Sequence, residues 1–114
     1  MTLQELLTQI QNSPNDVEFN DVMGVIDNVY DFMPTAFTNG DTNNEAGQNN
    51  GSCKVFAFGL LHTLTEPQTL ACFGQYYRQD VLENPNGEDH QNIRNFMKTG
   101  WQGIEFSGTA LVAK

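Results

Sequence analysis

Residues 38–53 read TNGDTNNEAGQNNGSC, and this polar stretch separates two groups of amphipathic segments. It contains five Asn and three Gly, and it has no large apolar residue. Because such a run cannot contribute to a hydrophobic core, its side-chain amides and backbone are available to bind a ligand or to build an ordered loop. The apolar spacing of a helix begins at Ser52 and Cys53. The sequence therefore places amides, carboxylates and one thiol around a helix N-terminus.

Outward from this stretch, apolar spacing predicts about five helices. The first begins with a Thr2–Glu5 capping box and runs to about Gln11. The start of the second is open between Ser13 and Asn20. The second helix carries Phe19, Val22, Met23, Ile26 and Tyr30, and the third, capped by Ser52, carries Cys53, Phe56, Ala57, Leu60, Leu61 and Leu64. The fourth, capped by Thr65, carries Leu70, Phe73, Tyr77 and Val81, and the fifth, capped by Asp89 and ended by Gly100, carries Ile93, Phe96 and Met97.

Two segments have the pattern of short strands. Residues 32–37 contain Pro34, which lacks a backbone donor, so this strand is expected to be irregular or at a sheet edge. Residues 104–111 alternate around Ser107-Gly108, which predicts a two-residue β-hairpin. The fold class is therefore predicted to be α+β, a single domain in which about five helices pack with a small antiparallel sheet.

Charge and composition exclude several classes of function. The 114-residue chain has a net charge of −9, and residues 1–53 contain eight acids and no Lys or Arg. Because nucleic-acid affinity depends mainly on cationic side chains, no nucleic-acid partner is expected. No apolar run reaches the length of a membrane span, and the N-terminus lacks the features of a signal peptide, so no membrane association is expected. Two cysteines in a chain without an export signal predict reduced thiols, and they lack the spacing of a zinc site. No metal and no cofactor are expected.

Cys53 and His90 form the candidate catalytic pair. A thiol in the first turn of a helix is stabilised as a thiolate by the helix dipole. His62 is nine residues further along the same helix and on its opposite side, so it cannot serve as the base. His90, near the start of the fifth helix, can serve if the two N-termini converge. The alternative is that Cys53 is a small buried residue of the core.

The candidate ligand-binding residues all lie in the polar stretch. Their amides and carboxylate provide donors and acceptors for a small polar ligand, and nearby glycines allow close approach of the backbone. The alternative is that the same amides satisfy the turns of a long loop. The residues are Asn39, Asn44, Glu45, Gln48 and Asn49.

A cation site is a weaker alternative. The acids of the stretch alternate like the start of a calcium loop, but Ala46 and Ser52 stand where an EF-hand needs Gly and Glu. Another arrangement, built from Asp41, Glu45 and Asp89, stays open.

Four segments in order resemble the family of HopJ type III effectors. They are residues 34–40 (PTAFTNG), 44–49 (NEAGQN) with 51–54 (GSCK), 71–74 (ACFG), and 89–97 (DHQNIRNFM) ending in Gly100-Trp101. The resemblance runs nearly end to end and implies a bacterial protein associated with type III secretion, without implying catalytic residues. The expected location is the bacterial cytoplasm, with secretion by a type III system if the family name applies.

Two functions follow as hypotheses. The first is a small, acidic, soluble interaction protein of HopJ type that binds a protein partner. The second is a small protein that binds a polar ligand, or a Cys/His enzyme, using the stretch 38–53. Convergence of Asn39, Glu45, Gln48, Cys53 and His90 on one solvent-reachable pocket would favour the second. Burial of Cys53, together with loop side chains that bond only to the backbone, would favour the first.

Overall fold

A computed structural model describes all 114 residues and confirms the α+β class. The strands form two antiparallel sheets, ordered β1–β5 and β3–β2–β4. The helices are α1 (Leu3–Asn12), α2 (Phe19–Val29), α3 (Asn50–Leu61), α4 (Glu66–Ala71), a π-helix (Tyr76–Val81) and α5 (Gln91–Thr99), with 3-10 turns at Pro14–Asp16 and Gly100–Gly103. The strands are β1 (Tyr30–Phe32), β2 (Phe37–Asn39), β3 (Thr42–Asn44), β4 (Ile104–Phe106) and β5 (Leu111–Ala113).

The core is centred on Phe56 of α3, which is fully buried. Its ring lies 5.9 Å from the ring of Phe37, 5.5 Å from Phe73, 5.0 Å from Phe96 and 6.4 Å from Trp101. Each such aromatic pair contributes about 0.5–1.5 kcal/mol beyond the area that it buries. Helix α3 therefore connects the β2 sheet, the end of α4 and helix α5 through one side chain.

The predicted N-termini of the first and fourth helices are confirmed. Thr2 and Glu5 form a reciprocal capping box, and Thr65 and Gln68 form another. Each box satisfies two backbone donors that a helix N-terminus otherwise leaves unpaired. The second helix begins at Phe19, within the predicted interval and after the 3-10 turn at Pro14–Asp16.

The strand predicted over residues 32–37 is wrong in extent. Strand β1 ends at Phe32 and β2 begins at Phe37, so the residues around Pro34 lie outside both sheets. Residues 38–53 are also not one long loop, because β2 and β3 pair across Gly40, whose φ is +59°. Helix α3 then begins at Asn50 with Asn49 as its N-cap, three residues before the predicted cap Ser52.

The C-terminal hairpin predicted over residues 104–111 is also wrong. The two strands exist, but β4 pairs with β2 and β5 pairs with β1. The N–H of Ser107 donates to the carbonyl of Ala36, and the N–H of Met33 donates to the carbonyl of Ala110. The segment between the strands therefore runs along the Pro34 region, and β4 and β5 diverge into separate sheets.

The predicted fourth helix is interrupted. Helix α4 ends at Ala71, and Gly74 has φ of +60°, with its Cα so close to the start of α2 that a Cβ would lie 2.7 Å from the backbone nitrogen of Phe19. The chain continues as the π-helix Tyr76–Val81, a rare form that is frequent at functional sites.

In α5, Met97 was predicted to face inward but is 45% exposed, because Ile93 and Phe96 define the buried side.

Substitution of Gly74 by Ala is expected to destabilise the protein by roughly 2–4 kcal/mol. The added Cβ would clash with the backbone of Phe19, and alanine is unfavourable in the left-handed conformation that Gly74 adopts. Gly24 provides a matched control, since it lies inside α2 and a Cβ there would meet nothing within 4 Å. Gly24→Ala is expected to stabilise by about 0.5–1 kcal/mol. Urea unfolding of the two variants measures both effects. Equal stability of Gly74→Ala and wild type would contradict the close approach.

Candidate functional site

A cleft of about 630 Å³ opens where the N-termini of α3 and α5 come together. The chain carries 14 acidic residues, yet no carboxylate lines this cleft. Its wall is made of hydroxyls, amides, one imidazole and aromatic rings. The lining residues are Asn49, Gly51 and Ser52 from α3, His90, Gln91, Asn92 and Ile93 from α5, and Phe19, Thr42, Phe73 and Tyr76 around them.

Both helix N-termini have the same unusual geometry. The N-cap residues Asn49 and His90 are left-handed, with φ of +51° and +52°, and neither side chain caps its helix. Neither helix has an acid in its first turn. The first backbone N–H groups of a helix have no partner within the helix, and the dipole makes that end positive. The cleft therefore receives the positive ends of two helices.

The π-helix positions the imidazole of His90. Its Nε2 lies 3.0 Å from Oδ2 of Asp80, and its ring packs against the ring of Tyr76 with the centroids 5.4 Å apart. The predicted cap of α5, Asp89, is wrong: its carboxylate accepts from the Nη2 of Arg94 at 2.7 Å instead. That hydrogen bond is the main reason why the pKa of Asp89 lies below its usual value.

A buried network of asparagine amides lies behind the cleft. Oδ1 of Asn92 accepts from the Nδ2 of Asn39 and of Asn44, each at 3.1 Å, and Nδ2 of Asn92 donates to Oδ1 of Asn44 at 2.9 Å. Nδ2 of Asn49 donates to the same Asn44 oxygen at 2.7 Å. The network therefore links the β2–β3 hairpin to the N-termini of both helices.

The predicted ligand-binding residues are not gathered in one place. Asn39 and Asn44 are buried, and the Nδ2 of each donates to Asn92. Glu45 and Gln48 are exposed and form a local turn, in which Oε1 of Gln48 accepts from the N–H of Glu45 at 3.1 Å. Among the five, Asn49 lines the cleft.

The structure does not bring Cys53 and His90 together in this cleft. His90 lines it, whereas Cys53 is 1% exposed and its thiol donates to the carbonyl of Thr35 at 3.5 Å. Burial raises the pKa of the Cys53 thiol, which opposes formation of the thiolate. The neighbouring Ser52 lines the cleft instead.

The three carboxylates of the alternative cation site are also separate. No group of three or more His, Cys, Asp or Glu side chains is arranged to hold a metal ion. Asp89 is held by Arg94, while Asp41 and Glu45 are exposed, at the β2–β3 turn and just after β3.

Several residues of the site were missed from the sequence. Tyr76 and Asp80 were assigned to a regular helix, which hides a π-helical turn. Gln91 and Asn92 follow His90 directly and have the same amide chemistry as the polar stretch. Amide side chains at the N-termini of two predicted helices were therefore the feature of the sequence that could have indicated a shared site.

Comparisons with known proteins agree with the fold. The family described as HopJ type III effector protein matches residues 3–111. A crystal structure described as "unknown function protein VPA0580" is 59% identical, with a TM-score of 0.98. The match covers 100% of this chain and 95% of that one. No curated protein matches the chain.

Thiol labelling tests the placement of the cysteines. Cys53 and Cys72 are both buried, and burial raises both pKa values, that of Cys72 to about 12. Both thiols are therefore expected to react with a maleimide at least about 100-fold more slowly in native buffer than in urea, because reaction requires opening of the fold. Peptide mapping by mass spectrometry resolves the two sites. Rapid native labelling confined to Cys53 would instead support a reactive thiol.

Proposed function

The chain belongs to the HopJ type III effector protein family, and we propose that it binds a small anionic ligand in the cleft between α3 and α5. The observation that carries the proposal is the convergence of two uncapped helix N-termini on one cleft without a carboxylate. The oxygens of a carboxylate or phosphate accept hydrogen bonds from such N–H groups.

The electrostatics of the whole chain make this cleft distinctive. The protein carries a net charge of −9, so its overall charge repels an anion. The positive ends of α3 and α5 meet at the cleft, while the carboxylates of Asp80 and Asp89 lie outside its lining, 3.0 and 3.7 Å from the Nε2 of His90. Each helix N-terminus contributes typically about 0.3–1 kcal/mol toward a nearby negative charge.

The cleft also has the size and the mixed lining of a small-molecule site. Pockets for small ligands usually enclose about 300–1,000 Å³ and combine apolar walls with a few polar groups. Here the rings of Phe19, Phe73 and Tyr76 provide apolar surface, and Ser52 and His90 provide polar atoms. A ligand of metabolite size is therefore favoured over a peptide.

Binding of a protein partner is the second candidate function. Leu60 and Leu61 are 51% and 52% exposed and line an apolar groove of about 230 Å³ together with Phe106 and Leu111. Exposed apolar surface of this kind often marks an interaction site. The family description as a type III effector agrees with a secreted protein that acts on a partner. No helix of the protein is long and apolar enough to cross a membrane.

Titration with small anions tests the ligand proposal. The probes are inorganic phosphate, acetate and glycolate, and the readout is the backbone amide NMR shifts of Gly51, Ser52, Gln91 and Asn92. Saturable shifts at these amides are expected for at least one probe, because the four residues line the cleft and lie in the first turns of α3 and α5. If no probe shifts them at millimolar concentration, or if the shifts spread evenly over the surface, the proposal fails.

Ser52→Glu separates binding from stability. Ser52 is the third residue of α3, where an acid favours the helix, so the melting temperature is expected to stay equal or rise. Its carboxylate at roughly 5 Å from a bound anion costs about 3 kcal/mol at an effective dielectric of about 20, so affinity should fall at least about tenfold. Gln4→Glu adds the same charge at the start of α1 and should leave affinity unchanged. Equal affinity of Ser52→Glu and wild type would contradict the site.

A further inference from the structure

The Asp80–His90 pair defines a second polar contact in the cleft. We infer that Asp80 is a positioning residue, which holds His90 with its proton on Nε2 so that Nδ1 accepts a hydrogen bond from a hydroxyl or ammonium group of the ligand. This inference rests on the proposed function for its ligand, but not for the tautomer of His90. The ligand class is then an anion with a neighbouring hydrogen-bond donor, as in a small hydroxy acid or amino acid.

The carboxylates around His90 lie on the Nε2 side of the ring. Oδ2 of Asp80 is 3.0 Å from Nε2, within hydrogen-bond distance, and Oδ2 of Asp89 is 3.7 Å away, which is too long for a hydrogen bond. An ionised carboxylate only accepts hydrogen bonds, so Nε2 must be the donor. The other Asp89 oxygen is held by Arg94, which keeps that carboxylate from competing for the ring.

The other ring nitrogen has no partner within the protein. His90 is the N-cap of α5, where a side chain commonly accepts from the helix, yet it makes no such bond. Nδ1 is therefore free of intramolecular hydrogen bonds. With the proton on Nε2 of the neutral ring, Nδ1 accepts a hydrogen bond. Nδ1 is therefore suited to a ligand that carries a hydrogen-bond donor beside its anionic group.

Asp80 is well placed to fix the ring. It lies four residues after Tyr76 on the π-helix, and both side chains contact His90: Asp80 through its carboxylate and Tyr76 through its ring. The imidazole is thus held at one edge and on one face. Its side chain is still 30% exposed and lines the cleft.

The tautomer is measured first, on the free protein. Long-range ¹H–¹⁵N NMR of the neutral His90 ring is expected to show a protonated Nε2 and an unprotonated Nδ1. Asp80→Asn, whose carbonyl still accepts from Nε2–H, should keep this pattern, and Asp80→Ala should produce a mixture of tautomers. Asp31→Asn removes an exposed charge from β1 and should change nothing. A protonated Nδ1 in the wild-type spectrum overturns the inference without any variant.

The ligand is tested with glycolate and acetate, which differ by one hydroxyl. Wild type is expected to bind glycolate roughly threefold to tenfold more tightly, the value of one hydrogen bond, and Asp80→Ala should lose that preference while still binding acetate. Equal affinity of wild type for the two acids overturns the contact to Nδ1. Absence of binding by either acid and by phosphate refutes the proposed function, and the ring spectrum still decides the role of Asp80.

Discussion

The hydrogen bonds of the Asn92 side chain are the constraint on which the site depends. Its amide is buried in α5 and connects to Asn39 of β2 and Asn44 of β3, so a hairpin and a helix separated by about 50 residues are held together. In a buried network, removing one partner leaves another polar group unpaired, at a cost of about 1–3 kcal/mol. The β2–β3 hairpin is short and polar, and these bonds fix its position together with the pairing of β2 with β4.

The same network sets the distance between the two helix N-termini. Asn92 is in the first turn of α5, Asn49 is the N-cap of α3, and Asn44 binds both side chains. The left-handed backbone of Asn49 is unfavourable for a non-glycine residue by roughly 1–3 kcal/mol, and its bond to Asn44 helps to offset that cost. The shape of the cleft therefore depends on the asparagine network behind it. In this network, hydrogen bonds between amides join the helices and strands that apolar contacts usually join.

Helices were readable from the sequence, whereas pairing and the direction of side chains were not. Thr2 and Thr65 are local signals, and a capping box forms wherever its few residues meet. Strand alternation around Ser107 shows that strands exist but not which strands they pair with, since that depends on contacts distant in the chain. The polar stretch was expected to be a long loop, but it contains the β2–β3 hairpin and the start of α3. Composition alone could not show that Asn39 turns inward, while Asn49 faces the cleft.

Exchange of the side-chain amide of Asn44 tests this account most directly. Its Nδ2 donates to Asn92 and to the carbonyl of Phe37, while the neighbouring Asn43 is exposed and makes no side-chain hydrogen bond. Hydrogen–deuterium exchange followed by NMR should find Asn44 Nδ2 protected as strongly as the backbone amide of Phe56, because both open only when the fold opens. Exchange of Asn44 as fast as that of Asn43 would show that the network does not hold the cleft together.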